Sequence, residues 1–132
     1  RLEQDNVWQQ ENDAMETEQA IVEKRRFQAE RAARKLDRLC QKKLWSSALL
    51  LEPTALRMGA EEESSHPRLA LVLYGRLALV YEQGDKNGSR LESAVDMHSK
   101  VYALAAVLGD YAMAASACTF KAHACALLGD YA

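Results

Sequence analysis

No apolar run in this sequence reaches the ~18–20 residues that a bilayer span requires. Proline and glycine are scarce, at 2 and 6 copies among 132 residues. No proline precedes Pro53 and no glycine precedes Gly59, so nothing interrupts a helix over the first fifty positions. Aromatic residues make up only 7%, which excludes a core built of large rings. Charge of one sign is lacking too: the net value of −2 gives no global attraction to nucleic acid or membrane. The first twenty residues are acidic and polar, unlike a secretory signal with its basic start and apolar block. The chain begins at Arg1 without a Met and stops at Ala132 inside a helical pattern, and reads as part of a longer polypeptide. Cys40, Cys118 and Cys125 are an odd, sparse set, which suggests a reducing, cytoplasmic setting. Cys118 and Cys125 lie about 10 Å apart along a helix, too far to bridge, and are read as small buried apolar residues.

What is present favours helices. Hydrophobic residues make up 48% and charged residues 27%, with alanine abundant, a balance expected of an all-α fold packed through small side chains. A charged helix is expected from about residue 3 to 43. Residues 1–23 hold seven acids and one base, whereas 24–43 hold nine bases and two acids. That order complements the helix dipole, and it would also let two copies pair antiparallel. Trp8, Met15, Val22, Ala29 and Leu36 recur every seven residues, with Val7, Ala14 and Ile21 beside them. A coiled-coil seam needs a second apolar row, but Glu11, Glu18 and Arg25 hold those places. The stripe is too narrow for a self-sufficient zipper, and another protein is expected along it. Residues 1–30 are read as this arm.

Residues 31–132 carry a repeat. Gly84-Asp85, Gly109-Asp110 and Gly129-Asp130 each follow an apolar helical run, and LGDYA occurs at 108–112 and again at 128–132. A glycine there supplies a left-handed helix end, and the aspartate can cap the next helix. The expected helices run from about Arg68 to Gln83, from Ser89 to Leu108, and from Tyr111 to Leu128, with a further one opening at Tyr131-Ala132. His66-Pro67 starts the first, and Ser89-Arg90-Leu91-Glu92 has the form of a capping box. Leu91, Ala94, Val95, His98, Val101, Tyr102, Ala105 and Leu108 share one face of the second.

Leu77-Ala78-Leu79-Val80-Tyr81 with Gly84-Asp85 resembles the first helix of a tetratricopeptide repeat. Ala94, His98, Val101 and Ala105, ending at Leu108-Gly109-Asp110, resemble its second helix, and Ala122, Cys125 and Gly129-Asp130-Tyr131 resemble the next first helix. His66-Pro67-Arg68-Leu69-Ala70 is similar to the longer repeats of kinesin light chains. An earlier pair is expected from Arg31–Leu44 and from Trp45-Ser46-Ser47-Ala48 through Ala55-Leu56, kinked or restarted at Pro53. The resemblance implies an antiparallel helix-pair solenoid with repeats at about 31–66, 67–110 and 111–132, the last truncated. It implies a concave groove lined by Val72, Gly75, Leu79 and Gln83 and by Ser116, Thr119, His123 and Leu127. The Lys/Asn clamp with which some relatives hold acidic chaperone tails has no counterpart here.

No chemistry assembles around these residues. His66, His98 and His123 stand apart, and His123 and Cys125 fall on opposed faces of a helix, a poor spacing for a metal. Glu61-Glu62-Glu63 is read as a solvated turn. No phosphate loop or nucleophile elbow occurs, so no catalytic residue, metal or cofactor is expected. The basic stretch at Lys24, Arg25, Arg26, Arg31, Arg34, Lys35 and Arg38 is interleaved only with Phe27, which disfavours nucleic acid. The expectation is a scaffold subunit of a larger intracellular assembly, cytoskeletal, motor-linked or ciliary, whose partner is an amphipathic helix or extended peptide. A regulatory repeat region of an enzyme whose catalytic domain lies outside these residues is the alternative, and nucleic-acid binding through the basic stretch is a further one.

Overall fold

The computed structural model describes residues 2–84 and 88–131 and is all-helical, with no strand among the described residues. Helix α1 spans Leu2–Gln41, α2 Trp45–Leu49, α3 Glu52–Glu62, α4 Pro67–Gln83, α5 Leu91–Leu108 and α6 Tyr111–Tyr131. At 1.5 Å per residue, α1 is about 60 Å long. It ends in a left-handed turn at Lys43 (φ 58°). There the N–H of Leu44 bonds back to Leu39 and that of Lys43 to Cys40, so two carbonyls that the helix end would orphan are satisfied. The chain then makes the short α2 and restarts as α3, with Pro53 in the first turn, where its missing N–H removes no helical bond.

Helix α4 is the centre of the fold. Leu69, Ala70, Leu71, Leu73, Tyr74, Leu77, Ala78, Val80 and Tyr81 are all buried, which covers most of the helix circumference. Helices α1, α2 and α3 pack on one side of it and α5 on the other, while α6 packs on α5. His66 caps α4 by accepting the Leu69 N–H on its ring nitrogen Nδ1 at 3.2 Å, ahead of Pro67. Two hydroxyls fix α3 against α4. Tyr74 donates to Glu63 Oε1 at 2.6 Å and Tyr81 bonds Glu52, so both ends of the 11-residue α3 are pinned. Burial, reinforced by these carboxylates, holds both phenols well above their ordinary titration range. Because Glu52 meets Tyr81 and Glu63 meets Tyr74, the two helices run antiparallel. Arg68 meets Asp110 at 3.2 Å, which sets α4 and α5 antiparallel in turn.

Several helix ends differ from the expectation. Gly109 is left-handed (φ 71°), and the N–H groups of Gly109 and Asp110 bond Ala106 and Ala105 respectively, closing α5 as the motif requires. Gly84 ends α4 in an ordinary right-handed conformation (φ −83°), and Asp85 lies outside the described residues. The second LGDYA is no turn: α6 continues through Gly129 to Tyr131. Ala132 lies outside the described residues. Ser89 is not the cap of α5; Arg90 holds that position without a side-chain cap bond. Glu62 is buried and accepts from Ser65 at 3.3 Å, while Glu63 serves Tyr74, so the acid run is no solvated turn. Cys40 is buried, but Cys118 and Cys125 are exposed. On α5, Met97, which lies off the expected face, is buried, and Tyr102, which was read on that face, is exposed.

Gly59 and Lys43 yield opposite stability predictions. A Cβ on Gly59 would stand 2.6 Å from Cε1 of Tyr74, whose ring cannot retreat because Glu63 holds its hydroxyl. Gly59→Ala should therefore destabilise the fold by about 1–3 kcal/mol through overpacking, despite the ~1 kcal/mol that alanine gains in a helix interior. Lys43→Gly should stabilise it by about 0.5–1 kcal/mol by relieving the left-handed strain. Urea unfolding midpoints of the two variants would check both signs.

Candidate interaction surface

Helices α4 and α6 both rest on α5 but barely touch each other. A trough about 250 Å³ in volume opens between them, lined by Leu71, Val72, Gly75 and Arg76 of α4, His98 and Val101 of α5, and Met113, Ala117 and Phe120 of α6. The gap follows from residue size. Ala114, Ala117 and Ala124 are the α6 residues buried most completely, and such short side chains draw α6 close to α5. Gly75, with no atom within 4 Å of where its Cβ would stand, leaves the α4 wall open.

The floor has one polar group. His98 is 7% exposed, its Nε2–H donates to Glu82 Oε1 at 2.5 Å, and its ring stacks on Phe120 at 5.8 Å between centroids. The imidazole is thus satisfied from α4 and roofed from α6, so it ties three helices together. Arg76 on the rim is committed elsewhere, with its Nε 2.8 Å from Asp37 on α1. The walls remain apolar, with Val72, Met113 and Phe120 exposed at the mouth. Among the described residues no cluster of His, Cys, Asp and Glu is grouped as metal ligands are.

The eight expected groove residues divide sharply. Val72 and Gly75 line the trough. Leu79 is half-buried against the core, and Gln83 lines a separate cleft with Trp45 and Gly84. On α6 none of the four reaches the trough: Ser116, Thr119 and His123 are exposed to solvent and Leu127 is half-buried. Their face is turned about a quarter-turn from the one that carries Met113, Ala117 and Phe120. Ala122 and Cys125, which resemble residues of a first helix, are both exposed, while Ala124 is buried. Phe120, the ring in the middle of an alanine-rich helix, was the sequence signal for the correct face; the shared face of α5 already held His98 and Val101, and Arg76 had no signal.

The stripe on α1 also divides. Trp8 and Met15 are 63% and 66% exposed and Val22 is exposed too, whereas Ala29 and Leu36 are fully buried. From Ala29 onward, Ala33, Leu36 and Cys40 join the core with α4, so this half of the stripe meets the chain's own helices rather than another protein. Helix α1 therefore overhangs the body, with its apolar face covered at one end and bare at the other. No helix among the described residues is long and apolar enough to cross a membrane. Compared with known proteins, the chain matches no family model, no curated protein and no solved structure.

The α5–α6 turn that sets the trough width depends on Asp110. Its Oδ1 accepts the Met113 N–H at 3.0 Å, and together with Arg68 this holds its carboxyl below the ordinary range. A carboxyl depressed in the folded state stabilises at pH above its unfolded value, and that contribution is lost as pH falls through the folded value. Asp110→Asn, which keeps a capping oxygen, should melt below the parent at neutral pH. The gap should close below about pH 4, as read from thermal unfolding across an acid series.

Proposed function

We propose that this chain is a protein-interaction scaffold, a tetratricopeptide-like solenoid of helix pairs preceded by the charged α1, whose trough between α4 and α6 receives an apolar segment of a partner. The observation that carries this reading is the unfilled trough, with Val72, Met113 and Phe120 exposed at its mouth. A volume near 250 Å³ suits one or two bulky side chains, and the absence of any free cation on its wall favours an apolar occupant over an acidic tail. An amphipathic helix presenting residues at three- and four-residue steps, or an extended apolar peptide, meets that description. Membership of a multi-subunit assembly is part of the proposal, and the His66–Ala70 resemblance together with the long α1 supports a cytoskeletal, motor-linked or ciliary setting.

Peptide display against the chain tests the reading. Selected peptides should be rich in Leu, Phe and Trp at helical spacing. Phe120→Glu, made at a side chain 54% exposed and so tolerable to the fold, should weaken them about tenfold or more. Peptides without an apolar pattern, or binding indifferent to Phe120→Glu, would refute it.

A further inference from the structure

We propose that the overhanging half of α1 docks a cationic amphipathic helix from another protein, which seats on two apolar rows and places Lys or Arg over Glu11 and Glu18. This rests on the scaffold reading above but concerns a different surface. The face is built in three strips. Trp8, Met15 and Val22 form one row, and Val7 and Ile21 form another, all of them exposed. Glu11 and Glu18 run between the two rows at three- and four-residue steps, and neither carboxylate has a partner among the described residues.

That arrangement dictates the occupant. Covering the apolar rows strips water from the carboxylates in the middle, and a desolvated carboxylate needs a cation and hydrogen-bond donors. Rows repeating every seven residues along a helix fit another helix, with knobs entering holes. A second copy does not supply it. Two arms face to face would oppose acids with acids, since residues 1–23 carry seven acids to one base. The basic residues 24–43 of a second copy offer no matching apolar face either, because the same face of α1 is there buried as Ala29, Ala33 and Leu36. The occupant therefore carries its own apolar rows with basic residues between them. The bare face continues the one that α3 and α4 cover, so the visiting helix lies on α1 as an extension of the core packing.

The test uses the whole chain and two fluorescent helical peptides of about three heptads, alike except for a seam of Lys in one and of Glu in the other. Anisotropy should show the Lys peptide binding, more weakly as salt rises, and the Glu peptide not binding. Trp8→Ala should cost the Lys peptide about tenfold. Glu11→Lys with Glu18→Lys should exchange the preference, so that the Glu peptide binds instead. All three positions are exposed, and far-UV circular dichroism would verify that α1 persists. Phe120→Glu in the trough should leave these affinities unchanged, which separates this surface from the one proposed above. The proposal fails if neither peptide binds, if both bind alike, or if the arm variants have no effect. It also fails if sedimentation equilibrium finds a dimer that Trp8→Ala dissociates, since the covering partner would then be a second copy.

Discussion

The burial of α4 on nearly every side is the constraint from which the rest of the architecture follows. A helix with so wide an apolar surface cannot be covered by a single neighbour. Helix α5 takes one side, while α3 and the C-terminal half of α1 are drawn to the other. The polar groups caught in this packing are then matched one by one. Tyr74 and Tyr81 reach the two ends of α3, Arg76 reaches Asp37 on α1, and Arg68 reaches the Asp110 turn. The two ion pairs, Arg76–Asp37 and Arg68–Asp110, are partly exposed and contribute little stability individually. Their effect is positional, because each fixes where one helix lies along another.

Distance from α4 explains the character of the remaining surfaces. Helix α6 packs chiefly on α5 and meets it through alanines, so little of its circumference is covered and Phe120 remains exposed. The first half of α1 touches no other helix and keeps Trp8 and Met15 in water. Both proposed interaction surfaces are therefore the places where the packing centred on α4 runs out. Contiguous exposed apolar area marks contact sites more often than scattered single residues do.

Helix content was legible because its signals are local. The lack of proline and glycine before Pro53, the Pro67 start after His66 and the Gly109 close each act within one helical turn. Facing was less legible because it depends on which neighbour arrives. Gly109 and Gly129 stand in identical LGDYA segments, yet only Gly109 turns the chain, since α6 folds back there and Arg68 clamps Asp110. An error in that second turn carried the register of α6 with it, and displaced Ser116, Thr119, His123 and Leu127 from the trough that Met113 and Phe120 line. On α1 a seven-residue row from Trp8 to Leu36 was visible, but the point where the chain's own helices begin to cover it was not, because nothing in the α1 sequence records the length of α3 and α4.

Helix α1 passes from its bare stretch to its buried one without a break. Trp8 and Leu36 are 28 residue steps apart on α1, about 42 Å of continuous helix with no hinge. It is a rod, not a tether. A load applied at Trp8 arrives at Leu36 without slack, and Asp37 next to it grips Arg76 on the wall of the trough. The two surfaces at opposite ends of the molecule therefore share a single rigid strut.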